Sequence, residues 1–515
     1  MSDLTMEGEP HGGVGRAPLD ILILLSGVAV GLGTLSVGLS IDSAVTTTVS
    51  LQIVIVTLCI VFWRDRRASL PHFFFTLCFA LFLTGRQVSS LLGADPAQPG
   101  VLETGATDAA SLNRAHTALF VALCGLGLGW LAFKPGARPS RRSEPQSKIA
   151  FHSVRQSAAA LLLISAPAKI YALWLTSRAV QTSGFFDGRL ESAGATPLVV
   201  RVFEELFTIA VVTYLVARPQ LKPALLVCAL YVGVGVISLQ TLSRAQFTLN
   251  VIMVLLYLYM RQVHFSERIF TRRRTITLLA LLPIVVSAMN WLATLRGRTE
   301  HVSGGLIEPI RDFIYSQGVS IKVILATQAQ NPDFGEGKTF SLGPLTESLL
   351  NLQSLATGTS PFSGQTAARA YEGHQLSHSI SYAIAPYDYL RGVGYGSSFV
   401  AELLSDFGLV GVLVGSLIYG LLLSRASSVF ARPLLAAVLT LLLLRNAMFV
   451  PRASFVFPIS ELVSPASLLA FVLMGLALLA NRSSSRGASR VGGRQQRSRP
   501  LARNAIGNSR RAALR

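Results

Sequence analysis

The chain has 515 residues, 51% of them hydrophobic and only 14% charged, with a mean hydropathy of +0.52. Soluble globular chains carry about 25% charged residues, so this deficit excludes an ordinary soluble enzyme and indicates a polytopic membrane protein. The net charge of +19 would suggest nucleic acid in a soluble protein; here the basic residues gather between apolar segments and in the tail, as a membrane requires, and no nucleic acid is implied.

The predicted fold is all-α. Apolar stretches long enough to cross a bilayer (about 20 residues) fall at 21–40, 45–63, 72–92, 115–133, 157–176, 198–217, 224–242, 247–263, 275–295, 400–424, 433–450 and 459–480. These make about twelve spans, nine of them in 21–295 and three in 400–480, after an N-terminal segment 1–20. The first lacks a convincing cleavage site and reads as a retained helix. All four cysteines (Cys59, Cys78, Cys124 and Cys228) lie inside apolar runs and read as small buried hydrophobes. Neither a metal site nor a disulfide framework is implied.

Basic loops at 64–67, 134–148, 266–274 and the tail 481–515 all fall on one side of this threading. By the positive-inside rule that side is the cytoplasm, which places both termini there and the less basic loops 94–110 and 177–197 outside. The arginine-rich tail is too polar to bury a core and is expected to be disordered.

Between 296 and 399 lies a connection far beyond the usual 2–8 residues between helices, and the threading puts this large loop outside. Within it, apolar residues at 306, 310, 313, 314, 321 and 324 predict one amphipathic helix over 306–325. The sequence then reads GVGYGSSFVAELLSDFGLVGVLVGS over 392–416. Gly394 and Gly396 permit unusual backbone angles, and Ser397 or Ser398 can cap the helix that follows. Glu402 and Asp406, four apart, share a face at the start of that helix. Gly411 with Gly415 and Ser416 with Gly420 give small-xxx-small spacings for close helix packing.

Ionisable residues inside or beside spanning helices are expensive and point to function. Arg86, Lys169, Arg201, Glu204, Glu205, Arg244, Arg445, Arg452 and Glu461 all map to the outer half of the threading, with Arg296, Arg298 and Arg391 in the loop. Arginines suit bidentate recognition of phosphate, and a helix N-terminus after a glycine turn suits an anion. Simple pairing of Arg201 with Glu205, or helix-dipole complementation by Glu402 and Asp406, remains the alternative for each taken singly. Other motifs fail: GEGKT at 335–339 has Pro332 where a phosphate loop needs glycine, and neither a DxD pair nor a GxSxG serine is present.

The segments FIYSQGVS (313–320), LSHSISYAIAP (376–386) and the 392–416 run, with one large late loop, resemble the bacterial O-antigen or oligosaccharide repeat-unit polymerases (Wzy-type). The R-x10-G pattern described for two outer loops of such proteins is not matched here. The resemblance implies a membrane glycosyltransferase that uses no cofactor or metal. It would join undecaprenyl-diphosphate-linked oligosaccharide into O-antigen-like, capsular or exopolysaccharide on the outer face of the bacterial cytoplasmic membrane. A chain-length regulator and a flippase would be its partner proteins, besides the lipid bilayer. A base for the acceptor hydroxyl is expected at Glu402 first, then Asp406, then His378, four residues after His374. Arg244, Arg296, Arg298, Arg391, Arg445 and Arg452 are the expected clamps for diphosphate and glycan, with Gly394, Gly396, Ser397 and Ser398 lining the site. A lipid-linked glycan ligase and, in a different class, a polysaccharide flippase or transporter remain alternatives.

Overall fold

Helices account for every regular element among the residues that the computed structural model describes, which are 16–92, 109–133, 148–184, 188, 192, 196–241, 244–294, 308–329, 338–354, 362 and 364–496. Seven described helices combine spanning length with apolar composition: Pro18–Ser40, Ala44–Arg64, Arg66–Leu91, Ala110–Ala132, Phe151–Ser183, Leu221–Thr241 and Phe399–Ala426. The first six coincide with expected spans, and the seventh is interrupted at Gly408. Two more apolar helices, Leu434–Ala447 and Pro465–Ala480, are shorter.

In chain order, α1 (Arg16–Ser40) and α2 (Ala44–Arg64) form an antiparallel pair. The Arg64 Nε donates to Asp20 Oδ1 at 2.8 Å and ties the two far ends together. The next long helix is α3 (Arg66–Phe79), a π-helical turn Ala80–Thr84 and α4 (Gly85–Leu91). Then come α5 (Ala109–Ala132), α6 (Lys148–Ser183), α7 (Leu198–Val216), α8 (Leu221–Ser238), α9 (Ala245–Phe265) and α10 (Arg272–Thr294). In α7 the expected span carries Arg201, Glu204 and Glu205, and Glu204 pairs with Lys169 of α6 at 2.5 Å.

The described part of 296–399 consists of six short helices: α11 (Glu308–Gln317), α12 (Ser320–Ala329), α13 (Gly343–Ser354), α14 (Ala367–Glu372), α15 (Leu376–Ile384) and α16 (Pro386–Leu390). The single amphipathic helix expected over 306–325 is therefore two. Gly318 separates them, because a Cβ there would run into the Arg86 backbone nitrogen. The chain needs glycine where α4 and this turn meet backbone to backbone.

The last elements are α17 (Phe399–Ala426), α18 (Leu434–Ala447), α19 (Phe457–Ser460) and α20 (Pro465–Gln496). Helix α20 runs to Gln496, and 497–515 of the tail lie outside the described residues.

The core runs through the middle of the bundle, where Leu51, Val54 and Leu58 of α2 meet Leu119, Leu123 and Trp130 of α5 in one buried apolar cluster. Helix α17 lies against α5 at glycines on both sides. A Cβ at Gly420 would sit 2.6 Å from the Leu126 carbonyl oxygen, and one at Gly125 would sit 2.6 Å from that of Leu413. Gly420 thus closes a helix–helix seam, as its small-residue spacing implied. Beside it, fully buried His72 of α3 bonds the Gly420 carbonyl through Nε2 at 2.9 Å.

A re-entrant arm and the candidate functional site

The expected uninterrupted helix over 400–424 is broken. Gly408 has φ 64° and ψ −157°, a region essentially closed to side-chain-bearing residues. The arm 399–407 folds back along 409–426. A Cβ at Gly415 would strike the Leu403 side chain, although twelve residues of straight helix would separate them by about 18 Å. Likewise the Phe399 and Tyr419 rings lie 5.7 Å apart, where a straight helix would hold them about 30 Å apart. Phe75, Phe79 and Phe455 complete an aromatic floor around this pair.

Glu402 and Asp406 ride on the short arm, and each fastens a separate segment. Glu402 is buried; Ser397 Oγ donates to its Oε1 at 2.6 Å, and the Phe455 N–H donates to its Oε2 at 2.8 Å. Asp406 accepts from the backbone N–H groups of Phe340 (3.0 Å) and Ser341 (2.7 Å), just ahead of α13. Both carboxylates therefore have their oxygens engaged by the protein itself. Ser398 occupies the N-cap position but makes no side-chain cap bond, and its hydroxyl is buried without a partner; the capping expected of Ser397 or Ser398 is replaced by the Ser397–Glu402 bond.

The glycine loop connects this arm to α15, the helix that carries His378. The Tyr395 N–H donates to Ser381 Oγ of α15 at 3.0 Å, and Gln365 Nε2 donates to the Val393 carbonyl at 3.4 Å. Gly396, at φ 80°, turns the chain past the Arg452 carbonyl. Arg452 Nη1 donates to Gln317 Oε1 at 3.1 Å, and its guanidinium lies 5.9 Å from the Phe82 ring centre.

His378 bonds the Tyr389 hydroxyl through Nδ1 at 2.9 Å, and Tyr389 OH reaches the Thr366 carbonyl at 3.4 Å. Burial holds the Tyr389 hydroxyl up to about 12, so it stays protonated and available to donate. In the tautomer in which that proton goes to the Thr366 carbonyl, Nδ1–H donates to Tyr389 and Nε2 keeps the lone pair; in the other, Tyr389 donates to Nδ1 and Nε2 carries the hydrogen. Burial, with the positive charge of Arg369 second, pushes the His378 imidazole down to about 3, so it is neutral at physiological pH. Arg369 is held by buried Glu347 of α13 at 2.8 Å, and Glu347 also accepts from the His374 N–H and Gln375 Nε2.

The structure thus joins His378, Gly394, Gly396, Ser397, Ser398, Glu402 and Arg452 around one loop, with Asp406 linked through α13. Arg391 is exposed at the start of the loop, over the Tyr387 ring. Two expected clamps are elsewhere. Arg445 bonds Asn446 and lies in electrostatic reach of Glu205 and Glu461, while Arg244 reaches the Met289 carbonyl of α10. Arg296 and Arg298 lie outside the described residues. Glu347, Arg369, Tyr389 and Gln317 were not singled out from the sequence. Gln317 stands inside the FIYSQGVS segment; the Glu347–Arg369 pair joins positions 22 residues apart and leaves no local signal.

An all-helical chain with repeated apolar spans, a broken helix and polar groups collected at a glycine loop defines a multi-pass membrane protein. Residues 21–482 match the family model of O-antigen polysaccharide polymerase Wzy, and the chain belongs to that family. No curated protein and no solved structure matches it.

Proposed function

We propose that the chain polymerises undecaprenyl-diphosphate-linked oligosaccharide repeat units on the outer face of the bacterial cytoplasmic membrane, forming O-antigen-like, capsular or exopolysaccharide. Family membership over 21–482 is the observation that carries this reading. About twelve spans, cytoplasmic termini and an outer 296–399 segment complete it, supported by the distribution of basic loops.

In the proposed reaction an acceptor sugar hydroxyl attacks the anomeric carbon of the donor glycan. The carbon–oxygen bond to the lipid diphosphate breaks, and the lipid diphosphate leaves with the electron pair. In the Nδ1–H tautomer His378 Nε2 holds a lone pair and takes the hydroxyl proton, whereas the oxygens of Glu402 and Asp406 are engaged. The two carboxylates then act as positioning groups: Glu402 sets the turn bearing Arg452, and Asp406 sets α13, whose Glu347 holds Arg369. Arg369, Arg391 and Arg452 offer the cations that a departing diphosphate needs. Arg445, Arg244, Arg296 and Arg298 remain proposed glycan or diphosphate contacts, and a chain-length regulator and flippase remain proposed partners.

Purified protein given lipid-linked repeat units in detergent should lengthen them into a ladder of polymers, without nucleotide sugar or metal. Transfer of the glycan to a different lipid acceptor, with no ladder, would make the chain a ligase. Movement of the substrate across vesicles without new linkages would make it a flippase.

A further inference from the structure

Four rings on the short helices α14, α15 and α16 form a file that ends at His378. Tyr371 lies near the end of α14, Tyr382 and His378 stand four apart on one face of α15, and Tyr389 belongs to α16. The Tyr389 ring centre lies 5.8 Å from the imidazole and 5.6 Å from the Tyr382 ring, so it wedges between them. Tyr382 in turn lies 5.3 Å from Tyr371. All three contacts are edge to face, with ring planes at 83°, 85° and 71°, an arrangement that aromatic pairs prefer.

Exposure rises along the file. Tyr389 is fully buried, Tyr382 is half-buried, and Tyr371 is 55% exposed. A single exposed tyrosine would need no explanation, but this one ends a packed aromatic row that starts at the proposed base. Its place is also fixed. Ser379 Oγ donates to the Ala370 carbonyl at 2.8 Å and ties α14 to α15 one residue before the ring. A Cβ at Gly373 would strike the Arg369 carbonyl oxygen, so the turn that follows is tight. Lys338 bonds the Tyr371 carbonyl through Nζ, and Glu372 beside the ring is exposed. A rigid ring among charged neighbours suits a partner that is apolar on one face and polar at its rim.

We infer that Tyr371 is a specificity-determining residue for the acceptor, stacking on a pyranose ring inside the acceptor glycan. A pyranose carries a patch of C–H groups on its face and hydroxyls around its edge. The patch gains by packing on an aromatic ring, while the hydroxyls stay hydrated or bond nearby charges. Tyr382 and Tyr389 stand between Tyr371 and His378, so the stacked sugar is not the one whose hydroxyl reacts. Contact with a remote sugar of this kind adds affinity without touching the reacting atoms. The inference rests on the polymerase reading for its ligand being a glycan, and on His378 for the direction of the row.

Tyr371→Ala, Tyr371→Leu and Tyr371→Phe would be compared with wild type in detergent, using purified lipid-linked repeat units. In the ladder assay Tyr371→Ala should raise KM by about three- to tenfold. Its kcat should stay near wild type, because the lost contact is made equally in ground and transition states. Tyr371→Phe should keep the wild-type KM, whereas Tyr371→Leu, apolar but without a ring, should behave like alanine. Binding of the same unit, read by native mass spectrometry, should weaken by the same factor. That measurement stands even where no ladder forms, so failure of the polymerase reading and failure of this inference are told apart. Wild-type KM and binding in the alanine variant would overturn the inference. So would leucine matching phenylalanine, which would make Tyr371 an anchor at the bilayer surface. A fall in kcat together with the melting temperature, at unchanged KM, would make the ring structural and overturn it as well.

Discussion

Phe455 donates its backbone N–H to Glu402 Oε2 at 2.8 Å, across 53 residues of chain. That bond and the one from Ser397 make Glu402 the joint between the glycine loop and the turn carrying Arg452. Glu402→Gln can keep both bonds, because the amide oxygen accepts from Phe455 and the amide nitrogen donates to Ser397 once that hydroxyl turns round. Activity in the polymer-ladder assay should stay within a few-fold of wild type. Glu402→Ala strands a buried N–H and a hydroxyl, and should lower stability by about 1–3 kcal/mol in detergent melting. A fall of about two to four orders of magnitude in the Gln variant, with stability unchanged, would return the base role to Glu402.

Gly408 makes the reversal that brings Leu403 to Gly415. Nothing lies within 4 Å of a Cβ built there, so Gly408→Ala tests the backbone alone. At φ 64° and ψ −157° it should cost about 1–3 kcal/mol, measured as a lower melting temperature with reduced activity. An alanine variant as stable and as active as wild type would show that the arm does not need this turn.

Much of the fold could be read from local pattern. Six long apolar helices coincide with expected spans because length and hydropathy are properties of contiguous residues, and Gly420 could be assigned to packing from its four-residue spacing to Ser416. The break at Gly408 could not. It stands in DFGLVG, between residues that suit a helix equally well on both sides, and only tertiary contacts decide that the chain turns. The same limit hid what Glu402 does. Its helix-start position was visible, but Phe455 lies far along the chain and donates through backbone, which carries no sequence signature. His378 ranked below the carboxylates because the freedom of its Nε2 depends on Tyr389 and Thr366 meeting it in space.

The α5–α17 seam predicts an overpacking penalty. At Gly420 a Cβ would lie 2.6 Å from the Leu126 carbonyl and 2.9 Å from the Gly129 Cα, both backbone atoms that cannot rotate away. Gly420→Ala should therefore destabilise by about 1–3 kcal/mol in a detergent melt, and Gly420→Val by more. Gly475→Ala, with nothing within 4 Å of its Cβ, is the control and should leave stability at or slightly above wild type through helix propensity. Equal melting of the two alanine variants would deny a tight seam.

His378 carries the sharpest test of the site. Its pKa is pushed down to about 3 by burial first and by Arg369 second, below the ordinary histidine value of about 6.5. Between those two values the unfolded chain binds more protons than the folded one, so this group's contribution to stability rises with pH and is lost as pH falls from about 6.5 towards 3. A base with so low a pKa is weak, yet a bound diphosphate would offset the Arg369 charge and raise it towards the working pH. The base would gain strength only when the substrate is in place. The acid limb of kcat/KM, which reports the free enzyme, should accordingly lie well below that of kcat, which reports the loaded one. Arg369→Gln should raise the kcat/KM limb part of the way, since desolvation remains. His378→Asn can keep a bond to Tyr389 and should fold normally, while activity falls by about two to four orders of magnitude. Acid limbs that coincide near pH 6.5, or an active His378→Asn protein, would remove His378 from the proposed chemistry.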